Sequence, residues 1–284
     1  MSKPNSLNKI LITGSNGLIG TLLCKNLEGN YAVWGFDRSF SKTKRIQSKD
    51  LKEYSLPEDR RIQGNLGNLK EVVNAMRGKD CVIHLAANPS PVASWSEILK
   101  NNIEGTFNVF EAARLASIKR VIFASSNHAV GMYPEKIDPY KHIYHENLEK
   151  IKHPIEPLTT EAVRPANLYG VSKAFGESLG SYYYDKYELS VICLRIGWVM
   201  DPDDPTFSAA GLALWLSHRD CVQLFGKAID ASMGLEFFVL YGMSDNKLLI
   251  WDLDKTKKIL KYKPRDGAGI KWVPDDSRPG IFDD

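Results

Sequence analysis

The stretch KILITGSNGLIGTLLCKNLE, residues 9–28, decides the fold. Residues 9–13 are a short apolar run bounded by glycine, which reads as a buried strand. Residues 18–28 carry apolar side chains at helical spacing. Between them Gly14, Gly17 and Gly20 stand in the order G-x-x-G-x-x-G. The first glycine lets the chain turn tightly out of the strand, and the second lets the backbone approach a pyrophosphate. The third lets the helix pack close to the sheet. The helix then offers free N–H groups and the positive end of its dipole to the phosphates. Glycine spacing alone is a weak signal, but between a strand and a helix it predicts a dinucleotide site. Gly14, Asn16, Gly17, Leu18, Ile19 and Gly20 are the first candidate cofactor contacts.

Working outward, further strands are expected at 31–36 (YAVWGF), 81–87 (CVIHLAA), 120–125 (RVIFAS) and 190–196 (SVICLRI). Helices are expected at 103–116 and 169–186. Short apolar runs separated by helices indicate βαβ units and a parallel sheet. Right-handed crossovers then give an α/β, Rossmann-type doubly wound fold. Beyond 200 the pattern is less regular: a loop at 201–205, a helix at 209–217, a strand at 236–240 and a short helix at 254–261. This part reads as interleaved with the sheet. The 284 residues therefore read as one domain. An NAD-binding core spans about 9–198, and a small substrate-binding region lies mainly at 199–265. The polar, proline-broken stretch 138–165 reads as a surface insertion near the mouth of the site.

Asp37 ends the second strand, where a carboxylate accepts hydrogen bonds from the adenosine ribose and repels a 2′-phosphate. This predicts NAD rather than NADP. Arg38 follows; it reads as a solvated turn residue that can also stack on or pair with the cofactor.

Tyr169-Gly170-Val171-Ser172-Lys173 puts a phenol and an ammonium at i and i+4 on one helix face. At about 4.5 Å and an effective dielectric of ~20, the ammonium attracts a phenolate by roughly 3.7 kcal/mol. That is close to three pKa units, enough to poise Tyr169 near neutrality. Tyr169 can then take the proton of an alcohol whose carbon gives hydride to the cofactor. The strand ending in Ser125-Ser126 precedes it and supplies a hydroxyl for the same oxygen.

The balance of 43% hydrophobic and 25% charged residues suits a globular enzyme, and the net charge of +3 does not indicate nucleic acid or membrane as partner. Cys24, Cys81, Cys193 and Cys221 stand singly, without a C-x-x-C pair, so neither zinc nor disulfides are suggested. No leader-like apolar segment or membrane span is visible, and a cytoplasmic location is expected.

With these motifs the chain resembles the extended short-chain dehydrogenase/reductase family, the NAD-dependent epimerase/dehydratase group, over about residues 9–265. The resemblance implies Ser126, Tyr169 and Lys173 as catalytic residues. It places Asn65 where the family carries an aspartate, beside Leu66, and implies that Leu85, Ala86, Ala87 and Ile196 line the cofactor. It also implies a contact from Asn102 or its neighbour Asn101. Family members often dimerise through the helices at 103–116 and 169–186, so a homodimer is expected.

Within the family, FASSNH (123–128), NLYGVSK (167–173) and WLSH (215–218) resemble the sugar 1-dehydrogenase branch. That branch includes uronate dehydrogenases and archaeal NAD-dependent glucose-6-phosphate dehydrogenases. The asparagine and V-Y-G-P of nucleotide-sugar enzymes are missing after Arg195. A serine and an arginine of uronate dehydrogenases are replaced by Trp198 and Ala210. Asn88-Pro89-Ser90-Pro91, 215–221 and 241–246 look more like the archaeal type, from a non-halophilic source since the chain is not acidic. The expected reaction is oxidation of the anomeric hydroxyl of a hexose, glucose 6-phosphate first. Uronate or another aldose, a nucleotide-sugar epimerase or dehydratase, and an NAD-sensing regulator are the alternatives.

Asn88, Ser90, Ser126, Asn127, His128 and Tyr169 are the candidate substrate contacts, although Asn127 and His128 could instead only support their loop. Arg219 is either a clamp for a substrate phosphate or a surface arginine at a helix end. His84 reads as a packed histidine. His142, His145 and His153 read as solvated loop residues rather than metal ligands.

Overall fold

The structure is a computed structural model and describes residues 7–151, 155–234 and 236–271. Strand β1 (Lys9–Thr13) has a parallel neighbour on each side, which leaves Ile10, Leu11 and Ile12 without exposed surface. Strands covered on both faces read as continuous apolar runs rather than alternating ones. The other strands are β2 (Ala32–Asp37), β3 (Arg61–Gln63), β4 (Cys81–His84), β5 (Arg120–Ser126), β6 (Ser190–Ile196) and β7 (Phe237–Gly242). Among the described residues they form a seven-stranded sheet in the order β3-β2-β1-β4-β5-β6-β7. Every pairing is parallel. The order reverses between β1 and β4, so a crevice opens beyond their carboxyl ends.

The helices are α1 (Leu18–Leu27), α2 (Lys49–Glu53), α3 (Leu69–Met76), α4 (Trp95–Ile98), α5 (Gly105–Leu115) and α6 (Met132–Lys136). They continue with α7 (Lys141–Tyr144), α8 (Leu168–Tyr187), α9 (Ala209–Leu214), α10 (His218–Asp230) and α11 (Asp254–Leu260). On one face of the sheet Leu22 and Leu23 of α1 share a buried cluster with Cys221, Leu224 and Phe225 of α10. On the other, Val72 and Met76 of α3 meet Phe110 of α5 and Tyr183 of α8. The sheet is thus wound on both sides.

Two expectations are corrected. The helix expected at 209–217 ends at Leu214, because Trp215 turns extended and pairs with Trp198 as an isolated parallel bridge. Ser217 then caps a second helix, accepting a hydrogen bond from the Asp220 N–H. That helix, α10, had not been expected. The segment 138–165 is more than a surface insertion. Ile143 and Leu158 are buried with Tyr241, Met243 and Trp251 in a third apolar cluster, and Leu158 bridges Trp251.

Candidate active site

The crevice at the strand reversal is a cleft of about 680 Å³. Each strand that ends there contributes to its wall. After β1 come Gly14, Gly17, Leu18, Ile19 and Gly20; after β2, Asp37, Arg38 and Arg45; after β3, Asn65 and Leu66. After β4 come Leu85, Ala86, Ala87, Asn88 and Ser90. The end of β5 and the turn beyond it supply Ser126, Asn127 and His128. Helix α8 supplies Tyr169 and Lys173, and the end of β6 supplies Ile196 through Val199.

The glycine turn is built for close approach. Gly14 has φ +71, and a Cβ there would stand 2.8 Å from the Ala86 nitrogen. A Cβ on Gly20 would stand 2.1 Å from the Gly14 carbonyl oxygen, so any side chain would push α1 off the turn. Gly17 opens α1 with no side-chain cap, which leaves the helix end available to an anion. Asp37 holds the turn in place: its carboxylate accepts from the Asn16 N–H at 3.0 Å and from the Arg38 N–H at 2.8 Å. The cradle and this carboxylate fit a dinucleotide lying across the strand ends.

At the other end of the cleft the reactive groups meet. Asn167 caps α8 by accepting from the Gly170 N–H at 2.8 Å, and its amide contacts His128 Nδ1 at 3.0 Å. The His128 ring meets Tyr169 edge-on, with centroids 5.4 Å apart. The His128 N–H donates to Ser126 Oγ at 3.2 Å, and Ser126 Oγ donates to Asn127 Oδ1 at 3.3 Å. Lys173 is 4% exposed and donates to the Ala124 carbonyl at 2.7 Å, with Nζ 5.4 Å from the Tyr169 ring centre. One strand end and one helix face thus hold Ser126, Tyr169 and Lys173 together.

The electrostatics differ from the expectation of a phenol poised near neutrality. Burial raises Tyr169 to about 12, against lowering by a hydrogen bond with Ser126 and by the charge of Arg45. Burial also lowers Lys173 to about 7, against raising by the Glu177 carboxylate. A single dielectric of ~20 counted the attraction between the two groups but not the loss of water around each. For both groups desolvation is the largest cause.

A buried ion pair backs this site. Arg195 of β6 grips Glu177 of α8 with both ends of its guanidinium, at 2.8 and 2.7 Å, and Glu177 accepts from Ser125 Oγ at 2.5 Å. Arg195 also donates to the Ala162 carbonyl and to Tyr241 Oη. The segment 138–165 is thereby tied to the strand carrying Ile196.

Three residues expected as contacts lie off the cleft wall. Asn102 does not line the cleft: it is buried, accepts from the Asn88 N–H at 2.7 Å and donates to the Asn88 carbonyl and Ser172 Oγ. It positions the loop after β4, and its neighbour Asn101 is the one on the wall. Asn16 also lies off the wall, with its side chain donating to the Ser39 carbonyl at 2.9 Å. Arg219 is a surface residue, 56% exposed and paired with Asp266. Ser217 and His218 are turned to Asp266 and to the Met200 carbonyl, so none of the three reaches the cleft. Of the described residues at 199–265, only Val199 is on its wall.

His84 is buried between Thr13 and Thr106, at 2.8 and 3.1 Å, and burial lowers it to about 3. His142 pairs with Asp138 and His145 contacts the Glu135 carbonyl. His153 lies outside the described residues. Among the described residues no helix is long and apolar enough to cross a membrane. Arg45, Thr43, Glu97 and Lys100 line the cleft without having been singled out by any motif.

Residues 10–218 match the model of the NAD dependent epimerase/dehydratase family. The chain belongs to that family. It is 38% identical to a NAD-dependent glucose-6-phosphate dehydrogenase of Haloferax volcanii, over 91% of this chain and 94% of that one. It is also 38% identical to an L-arabinose 1-dehydrogenase (NAD(P)(+)) of the same organism, over 69% of this chain and 78% of that one. Among solved structures it resembles a mutant uronate dehydrogenase from Agrobacterium tumefaciens complexed with NAD. There the TM-score is 0.73 at 28% identity, covering 93% of this chain and 86% of that one. The cofactor of this family member is NAD.

Proposed function

We propose that this enzyme is an NAD-dependent sugar 1-dehydrogenase that oxidises the anomeric hydroxyl of glucose 6-phosphate to 6-phosphogluconolactone. The observation that carries the reading is the convergence of Ser126, Asn127, His128 and Tyr169 at one end of a dinucleotide cleft. The likeness to the glucose-6-phosphate dehydrogenase over nearly the whole of both chains supports the sugar phosphate.

NAD, when bound, supplies the acceptor for the hydride that leaves C1 with its electron pair. Tyr169 takes the hydroxyl proton as the C1–O bond becomes a carbonyl. Ser126 hydrogen-bonds the same oxygen and holds it against the phenol. The Lys173 ammonium favours the phenolate, and Asn127 and His128 present polar groups to neighbouring hydroxyls. Asp37 selects NAD over NADP by repelling a 2′-phosphate. A substrate region at 199–265 would act through Val199 and the wall it supports. Two copies would pair through α5 and α8, where Phe107, Leu115, Val171, Tyr182 and Tyr187 are exposed. Four buried free thiols accord with a cytoplasmic setting.

The test is NADH formation with glucose 6-phosphate, glucose, arabinose, galactose and glucuronate. Preference for glucose 6-phosphate supports the reading. Preference for glucuronate assigns the protein to uronate oxidation instead.

A further inference from the structure

In the sheet, β1, β4 and β5 lie between β2 and β6. At about 4.8 Å per interval the gap is roughly 19 Å. One loop crosses it. Residues 38–48 leave the end of β2 and finish on the chain that follows β6. There the Gln47 N–H, the Ser48 N–H and Ser48 Oγ all donate to one oxygen of Asp201, at 2.7, 2.9 and 3.0 Å. Asp201 is 7% exposed. Between the two ends the Ser39 carbonyl accepts from Asn16 at 2.9 Å, and Ile46 packs in the apolar cluster that α1 and α10 share. Lys42 Nζ donates to Thr21 Oγ1 at 3.0 Å, about one turn of α1 beyond Gly17 of the cradle. The loop is therefore a strap along the α1 side of the cleft, with Arg38, Thr43 and Arg45 on the wall.

The two partners in the Asp201 contact differ in firmness. The chain after β6 is fixed by its backbone. Gly197 N–H donates to the Gly242 carbonyl at 2.9 Å, Trp198 N–H to the Leu214 carbonyl at 2.8 Å, and Leu216 N–H to the Trp198 carbonyl at 3.0 Å. The strap is looser: Ser41, Thr43, Lys44 and Gln47 are exposed, and a bond of 3.2 Å links Ile46 N–H to the Thr43 carbonyl. A carboxylate accepts more strongly than a neutral oxygen, and a buried one holds its donors without competition from water. We propose that Asp201 is a cofactor-positioning residue. It clasps the strap shut along the dinucleotide, and release of this clasp sets the rate at which the cofactor leaves. The cradle lies between α1 and the strap, so a bound dinucleotide is held on that side by a segment fastened across the sheet. This role rests on NAD occupying the cleft and does not depend on which alcohol is oxidised.

The experiment compares wild type with Asp201→Ala, Asp201→Asn and Ser48→Ala. NADH release is followed by stopped-flow fluorescence, and protection of the Gln47 and Ser48 amides by hydrogen–deuterium exchange of the cofactor-free protein. In Asp201→Ala these amides lose protection and NADH leaves roughly 10-fold faster, as expected for losing hydrogen bonds to one charged acceptor. Asp201→Asn keeps an oxygen in place and recovers part of the wild-type rate. Ser48→Ala removes one donor of three and gives a smaller rise. Unprotected amides with release within about twofold of wild type would show that the clasp serves the fold alone, and would overturn the proposal. Amides that stay protected in Asp201→Ala would overturn it as well. If that variant fails to fold, Asp201→Asn and Ser48→Ala decide: faster release in either supports the clasp, and wild-type release in both overturns it. Should wild type oxidise no sugar, the proposed function fails while NADH release still decides Asp201.

Discussion

At the scale of single residues, the proposed chemistry rests on Tyr169 and Lys173, and their environment sets its pH dependence. Tyr169→Phe keeps the ring and removes the proton acceptor. Turnover is expected to fall on the order of 10²–10⁴-fold while NAD affinity is unchanged, as binding titration and rate measurement on the same sample would show. Lys173 behaves differently. Burial holds its proton affinity at about 7, whereas in an unfolded chain it stays near 10.5. Between those values the unfolded state binds more protons, so the fold gains stability as pH rises through that window. Denaturant unfolding of the cofactor-free chain across this window should show the gain, and Lys173→Met should flatten it. An equal slope in both proteins would remove burial of Lys173 as its cause. The placing of Tyr169 and Lys173 on one helix face was legible in sequence because their spacing is local. Their proton affinities were not, since desolvation depends on what the whole cleft excludes.

At the scale of elements, β1 and β6 match their expected bounds, because apolar runs covered on both faces leave little else to read. Strand β3 has three residues and no periodicity to detect. Helix α10 was readable: Cys221, Leu224, Phe225, Ala228 and Ile229 recur at helical spacing and are all buried. The apolar run ending at Ser217 masked its start. The pair Glu177–Arg195 joins α8 to β6 at 7% and 1% side-chain exposure. Glu177→Ala leaves a buried guanidinium without its partner, expected to cost about 3–5 kcal/mol. Thermal unfolding checks this, and a change in Tm no larger than that of an exposed glutamate variant would contradict it. Asn102 teaches a related lesson. Its motif position was visible, but only packing shows that it holds the Asn88 backbone.

At the scale of the whole molecule, the strand reversal between β1 and β4 brings eight separate chain segments to one cleft. The sequence motifs mark the glycine cradle, Asp37, Ser126, Tyr169 and Lys173. They do not mark Arg45, which arrives through a loop whose anchor, Asp201, lies 156 residues away from it along the chain. Two histidines, His84 buried and His128 half-buried, add an acid limit. Burial holds His84 to about 3 and His128 to about 4, below the usual 6.5. The unfolded chain binds more protons between those values, so stability should decline as pH falls from about 6.5 towards 4. Unfolding curves over that range check it, and a flat profile would contradict it.

The central claim is oxidation of a sugar phosphate by NAD at the Ser126–Tyr169–Lys173 site. The most direct test follows NADH absorbance when purified protein meets NAD and glucose 6-phosphate, with glucose, arabinose and glucuronate alongside and Tyr169→Phe as control. The account predicts the highest kcat/KM with glucose 6-phosphate and its loss in Tyr169→Phe. Tight NAD binding with no NADH from any of these sugars would contradict it.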